Sequence, residues 1–385
     1  MSNYQLVATV AAGIEAITAQ ELKDLGYQTE TENGKVFFKG SDADIARTNL
    51  WLRTADRIKI VFGQFEAKSF ESLFDQTKAL PWEDILPMDA EFPVAGKSVK
   101  SQLHSVPNCQ RIVKKAIASR LMDYYHRRTV LPETGPLYPI EVSLVKDQVT
   151  LTLDTSGTSL FKRGYRVEKG GAPLKENMAA ALVKLTTWYP ERPMYDPCCG
   201  SGTILIEAGL IGKNIAPGLN RSFAAEKWTF FDQNVFSSAR QDAQAAIKTD
   251  VKLDLYGTDI DHRMIEIAKE NAKRAGLADD IQFKQMQLSD YVPNKEFGIL
   301  IANPPYGDRL LDEEAVHKLY QQMGQIYQKM PSWSKYILTS DEQFEQYYGQ
   351  KATKKRKLYN GALKVDYYQY WSTIKPNHKK QNDNQ

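Results

Sequence analysis

Pro193-Met194-Tyr195-Asp196-Pro197-Cys198-Cys199-Gly200-Ser201-Gly202-Thr203-Ile204-Leu205-Ile206-Glu207-Ala208-Gly209-Leu210 is the stretch from which the rest of the chain is read. A short segment, Pro193 to Tyr195, runs into a glycine-rich turn, and the apolar run that begins at Ile204 is a good helix former. The order is therefore strand, tight turn, helix. Glycines at 200 and 202 let the backbone approach a ligand closely, and the amides that open the following helix offer donors to a carboxylate or hydroxyl. A generic phosphate loop is the competing interpretation. No Gly-Lys-Ser/Thr follows, which argues against a nucleoside-triphosphate site.

Downstream the pattern alternates strand and helix. Residues 253–257 form a second strand ending at Asp259, and 263–275 a helix closed by Gly276. Residues 281–283, 299–302 and 336–339 give three more strands, which argues for a doubly wound parallel sheet. Last, Asn360-Gly361 joins 356–359 to 363–371 in a tight hairpin. It turns the final strand antiparallel to its neighbour, an α/β topology typical of class I methyltransferases rather than dehydrogenases.

Upstream of the glycine turn are two smaller α/β units. Residues 4–9 alternate and are rich in strand formers, 14–25 carry apolar residues at helical spacing up to Gly26, and Asn33-Gly34 is a hairpin turn before Val36-Phe37-Phe38. With a helix at 42–50 and a strand at 57–62, the β-α-β-β-α-β order is ferredoxin-like. A second unit follows: a helix at 69–80 capped by Ser69, a strand near Val99, a basic helix over 109–125, and strands at 139–145 and 148–154. The run Thr155-Ser156-Gly157-Thr158-Ser159 marks the best boundary. The expected domains are 1–64, 65–156 and 157–376, with a polar tail at 377–385. Residues 213–250 read as an insertion whose Trp228, Phe230 and Phe231 either line a base pocket or form the insertion's own core.

With 385 residues the chain is too long for one ordinary core, and 42% hydrophobic with 25% charged residues is the composition of a soluble globular protein. No apolar run approaches a membrane span, and Met1-Ser2-Asn3-Tyr4-Gln5 lacks a signal-peptide pattern, so a cytoplasmic location is expected. The three cysteines, Cys109, Cys198 and Cys199, give neither a disulfide framework nor zinc-ligand spacing. No metal is expected. Cys198 and Cys199 are read as packing residues, with a catalytic thiolate as the alternative. The net charge of +3 is small, but its distribution is uneven. One basic group contains Lys97, Lys100, Arg111, Lys114, Lys115, Arg120, Arg127 and Arg128; a second contains Lys351, Lys354, Lys355, Arg356, Lys357 and Lys364. Each is either a phosphate footprint or, respectively, a solvated helix face and a protected edge strand.

About a hundred residues beyond the glycine turn, directly after the apolar run Gly298-Ile299-Leu300-Ile301-Ala302, stands Asn303-Pro304-Pro305-Tyr306. An exocyclic purine amine is a poor nucleophile because its lone pair is delocalised into the ring. The Asn303 side-chain oxygen and the Pro304 carbonyl can both accept from that NH2 and aim its lone pair at a methyl donor. Prolines hold these acceptors rigidly, and Tyr306 offers a face on which an extruded base stacks. The bland alternative is a strand-ending turn. In an open parallel sheet the ligand lies beyond the carboxyl ends of the strands, so Asp259 with its neighbour Ile260 is placed at the cofactor, and Asp261 is better suited to capping the next helix.

Asn303-Pro304-Pro305-Tyr306-Gly307-Asp308-Arg309, the 196–203 turn and the N-terminal arrangement resemble the THUMP-domain RNA methyltransferases over nearly the whole chain. Within them the chain is similar to the first half of the bacterial large-subunit ribosomal RNA guanine-N2 methyltransferases and their stand-alone Firmicute relatives. The resemblance implies ferredoxin-like and THUMP domains before a Rossmann-like catalytic domain with a seven-stranded sheet, and S-adenosylmethionine as cofactor. It places the lead-in residues Pro173, Leu174, Lys175 and Glu176 over the cofactor's methionine end and Asp196 near its amino group. Cys198, Gly200, Ser201, Gly202 and Thr203 form the loop, and Asp259 the ribose ligand. Gln287 or Asp290 stands where relatives carry an acid toward the adenine amine. The RNA contacts expected are Lys97, Lys100, Arg111, Lys114, Lys115 and Arg309. The expected reaction is methylation of guanine N2 in 23S rRNA, within naked RNA or an assembly intermediate. The alternatives are adenine-N6 methylation of DNA or RNA, a transfer-RNA guanine, and a non-catalytic ribosome-assembly factor.

Overall fold

The computed structural model describes residues 3–166, 174–232, 234–305 and 313–374. The chain divides into two compact units, one made of residues 1–10, 18–163 and 216–245, the other of 11–17, 164–215 and 246–385. No helix among the described residues is long and apolar enough to cross a membrane.

The first unit is built on one sheet. Its elements are β1 (Tyr4–Thr9), α1 (Glu15–Asp24), β2 (Glu30–Glu32), β3 (Lys35–Gly40), α2 (Asp42–Trp51), β4 (Arg57–Glu66), α3 (Phe70–Ala79), β5 (Val94–Val99), α4 (Val106–Tyr124), β6 (Ile140–Val145) and β7 (Gln148–Asp154). The seven strands lie in the order β2-β3-β1-β4-β7-β6-β5. The boundary expected at residue 64 falls inside β4, which pairs β1 on one side and β7 on the other. The ferredoxin-like and the following α/β halves thus share a continuous sheet. Leu6, Phe38, Ile60, Leu153 and Ile140 occupy paired positions across it, so they point to one face, and all are buried. Ser69 caps α3 by accepting from the Ser72 amide at 3.1 Å, as its position predicts.

The insertion expected at 213–250 belongs to the first unit over most of its length. Residues 216–245, including α7 (Val235–Ala245), pack within this first unit. Trp228 is fully buried, stacks on Tyr138 at 5.2 Å and donates its indole N–H to the Leu137 carbonyl. Phe231 packs edge-on to Trp228 and faces Tyr4. These aromatics are therefore core, not the lining of a base pocket. Trp228→Ala is expected to cost about 3 to 5 kcal/mol, read as a lowered urea midpoint by circular dichroism. An unchanged midpoint would contradict this packing role.

The second unit is the doubly wound sheet. It contains α5 (Glu176–Lys184), β8 (Met194–Asp196), α6 (Thr203–Gly212), β9 (Leu255–Asp259), α8 (His262–Arg274), β10 (Ile281–Gln285), β11 (Ile299–Ala302), α9 (Glu313–Tyr327), β12 (Ser334–Thr339), α10 (Phe344–Tyr348), β13 (Lys354–Asn360) and β14 (Leu363–Tyr370). The order is β10-β9-β8-β11-β12-β14-β13. β10, β9, β8, β11 and β12 are parallel, and β14 runs against both its neighbours. The chain moves from β8 to β9 on one side and to β11 on the other. That reversal opens a crevice beyond the carboxyl ends of β8, β9 and β11.

Candidate active site

β8 delivers Asp196 to the mouth of the crevice with 1% of its surface exposed. Its Oδ1 accepts the Cys198 amide at 3.1 Å, yet burial, helped by the nearby Asp259 carboxylate, pushes its pKa up to about 8. Burial thus favours the neutral acid, and a positive charge placed beside it would shift it back toward the ionised form.

The glycine turn follows. Gly200 and Gly202 have φ of +50° and +80°, and Gly202 precedes the first turn of α6. A Cβ at Gly202 would stand 2.8 Å from the Phe283 ring, whereas one at Gly200 would meet only the Met264 methyl at 3.8 Å. Gly202 is thus required by backbone conformation and packing, while Gly200 keeps one side of the loop open for a ligand. Ser201 and Thr203 exchange a hydroxyl hydrogen bond at 3.2 Å, and Asn271 on α8 donates to the Ser201 carbonyl.

β9 ends at Asp259, whose two carboxylate oxygens accept the amides of Gly200 at 2.9 Å and Asp261 at 3.0 Å. The acid therefore fixes the loop, and each oxygen keeps lone-pair capacity for a ribose hydroxyl. Asp261 caps α8 by accepting from the Arg263 amide, the role its position predicts. Ile260 leaves 69% of its surface exposed on the rim. Gln287 and Asp290 are both exposed beyond β10, and neither is singled out by its surroundings.

Burial raises the thiols of Cys198 and Cys199 well above the usual cysteine range, and the Asp196 and Asp259 charges reinforce this. That is the opposite of what a nucleophilic thiolate needs. In the lead-in segment Leu174 and Glu176 are buried, and Lys175 stands just before α5. Arg166 donates to Glu176, to the Leu174 carbonyl and to the Thr203 hydroxyl at 3.0, 3.0 and 3.2 Å, tying this segment to α6. Arg166 stands eight residues before Leu174, and nothing in the spacing reveals this three-way brace.

β11 is entirely buried and ends directly before Asn303. Asn303 Oδ1 is buried without a hydrogen-bond partner among the described residues. Pro304 is buried behind it, and the Pro305 carbonyl lies 3.5 Å from the Tyr320 hydroxyl, which also bonds Thr339 at 2.9 Å. Tyr320 stands on α9, and no motif in the sequence ties it to the proline segment, so this contact was not legible. Pro173, Tyr306 and Arg309 lie outside the described residues.

The basic group of the first unit is not one surface. Arg111, Lys114 and Lys115 share α4, but Gly96 of β5 packs against Gln110 of that helix, so the next residue, Lys97, points to the other face of the sheet. Lys97 and Lys59 both face Glu141, and Lys114 is matched by Glu133 and lies over the Phe92 ring. Lys100, Arg111 and Lys115 have no acid partner among the described residues.

A parallel sheet of this order, with a glycine loop, a buried acid and a buried asparagine carbonyl that has no partner among the described residues, defines a class I methyltransferase. Residues 163–369 match the family described as the RMKL-like methyltransferase domain, and the chain belongs to that family. Residues 5–59 match the RlmL ferredoxin-like domain and 67–154 the THUMP domain. The chain is 55% identical over 381 residues, 99% of each chain, to the Bacillus subtilis protein named "Putative RNA methyltransferase YpsC". A crystal structure of "SMU.472, a putative methyltransferase complexed with SAH" superimposes with a TM-score of 0.93 at 53% identity, covering 97% of this chain and 100% of that one. A Listeria monocytogenes structure named as a "predicted N6-adenine-specific DNA methylase" gives 0.92 at 59% identity, with 97% of each chain covered.

Proposed function

We propose that this protein methylates an exocyclic purine amine in RNA, with guanine N2 of 23S rRNA as the target. The observation that carries this reading is the Asn303 side-chain oxygen, buried at the end of β11 with no hydrogen-bond partner among the described residues. An unsatisfied buried carbonyl costs roughly 1 to 3 kcal/mol, a cost that an amine donor entering the crevice would remove.

S-adenosylmethionine, when bound, supplies a methyl group made electrophilic by its positive sulfur. The residues present fit it. Asp196 offers a buried carboxyl toward the cationic methionine end, Gly200 leaves its loop open, and Asp259 has lone pairs left for the ribose. Asn303 and the Pro304 carbonyl accept the two amine hydrogens and turn the nitrogen lone pair toward the donor. The amine nitrogen takes the methyl directly, without a covalent intermediate on the enzyme, and burial holds the Cys198 and Cys199 thiols well above the usual cysteine range, away from a nucleophilic thiolate. Once the amine nitrogen has gained its methyl, its surplus proton passes to solvent. The THUMP match and the RNA-methyltransferase name of the Bacillus relative support RNA as the polymer.

The name of the Listeria neighbour favours a second reading, adenine-N6 methylation, since the same acceptor pair serves either amine. Nucleoside mass spectrometry of rRNA from wild-type and deletion cells separates them. Loss of N2-methylguanosine at one rRNA position is expected in the deletion strain; loss of N6-methyladenosine instead would transfer the assignment to adenine.

A further inference from the structure

The basic stretch 351–364 contains six cations and no acid, and the residues that hold the cofactor and the amine do not account for it. Its placement does. Thr339, the last residue of β12, pairs with Asp366 of β14, so Val365, Lys364 and Leu363 continue past the carboxyl end of the parallel strands. On β13 they face Leu358, Tyr359 and Asn360. At about 3.4 Å per residue, these pairs carry the hairpin roughly 10 Å beyond the level of Thr339. Ala302 of β11 pairs with Ile337, so Asn303 and Pro304 lie at about that level. The hairpin is two to three strands to the side of β11, or about 10 to 14 Å at the usual spacing. It therefore overhangs the edge at which the target base is presented, at the distance of the nucleotides that flank it.

The side chains divide into two sets. Arg356 donates to the Gly13 carbonyl, Lys355 pairs with Asp366 and covers Tyr368, and Lys364 pairs with Glu342. Lys351, Lys354 and Lys357 are exposed and have no ion pair among the described residues. Lys357 and Tyr359 share one face, with the ammonium 5.3 Å from the ring centre, and Leu363 at the tip is 41% exposed. An edge strand rich in lysine is commonly a guard against aggregation. Here a Cβ on Gly13 would stand only 2.8 Å from the Lys357 carbonyl and 3.3 Å from Leu358, so the Gly13 turn already covers the middle of β13 and reduces the need for a guard there. Cations beside an aromatic ring are what a single strand recognises, through phosphate and base face.

We infer that the β13–β14 hairpin grips the single-stranded RNA next to the target nucleotide, Lys357 on a phosphate and Tyr359 against a flanking base. This rests on the RNA-methylation reading above. The test uses the full chain and a single-stranded RNA oligonucleotide, followed by fluorescence anisotropy across a salt series. Lys357→Ala is expected to lower the slope of log affinity against log salt by about 0.7 to 1, and Tyr359→Ala to weaken binding by about 5- to 100-fold. Both should keep the wild-type melting temperature and S-adenosylmethionine affinity. Lys269→Ala, on α8 and ion-paired with Glu266, is the control and should leave RNA binding unchanged. Wild-type RNA affinity and salt slope in the folded hairpin variants would overturn the inference, as would losses confined to a DNA oligonucleotide. These measurements need no methyl transfer, so failure of the wild-type protein to methylate RNA would count against the proposed reaction and not against the grip.

Discussion

Asn303→Ala should abolish most of the methyl transfer while leaving the protein folded and loaded with cofactor. Losing one oriented polar group at a reacting centre costs about 100- to 1000-fold in kcat, and no smaller effect is expected where Asn303 supplies one of two acceptors. S-adenosylmethionine affinity by calorimetry should stay at the wild-type value, because the loop at 196–203 and Asp259 are untouched. The melting temperature should not fall either, since the substitution deletes a buried carbonyl that has no partner among the described residues. Labelled-methyl incorporation into RNA is the deciding measurement. Wild-type turnover in this variant would remove Asn303 from the reaction and leave the tetrapeptide as a strand-ending turn.

Asp196→Asn should separate binding from stability in opposite directions. The wild-type carboxyl has its pKa at about 8 because burial opposes its charge and the Asp259 carboxylate adds to that opposition. An unfolded aspartate titrates near 3.9, so between about pH 4 and pH 8 the folded state holds a proton that the unfolded state has released. Stability of the ligand-free protein therefore falls as pH rises through that window. The neutral amide escapes this penalty and can still accept the Cys198 amide. Ligand-free Asp196→Asn should melt higher than wild type, with a gap that widens from pH 5 to pH 8. It should nonetheless bind S-adenosylmethionine far more weakly, about 100-fold, for want of a countercharge to the ammonium. A variant that melts lower at pH 8, or that binds the cofactor as wild type does, would refute the assigned role.

Much of this architecture is legible one residue at a time. The turns at Asn33-Gly34 and Asn360-Gly361, the Ser69 and Asp261 caps and the strand-turn-helix at 193–210 each rest on local backbone chemistry, and each stands where local rules put it. The strand-end positions of Asp196, Asp259 and Asn303 were legible for the same reason: position relative to a strand fixes which edge of a parallel sheet a residue occupies. Trp228, Phe230 and Phe231 were not, because an aromatic cluster has the same composition whether it lines a ligand pocket or buries itself against Tyr138 and Tyr4. For the basic residues 97–115 it was the shared surface that could not be read. Proximity in sequence suggested one surface, but alternation along β5 sends Lys97 to the face opposite α4.

Sequence by itself determined the elements, their alternation, the glycine positions that demand positive φ and the family to which the chain is similar, since all of these depend on local conformational energies or on contiguous motifs. Only the tertiary structure decided that β4 joins the first two α/β halves into one sheet, that Arg166 and Tyr320 brace the crevice, that Asp196 is buried deeply enough to shift its titration, and that the Asn303 acceptor is left unanswered among the described residues. Desolvation and hydrogen-bond satisfaction depend on which distant residues surround an atom, and separation along the chain does not encode that.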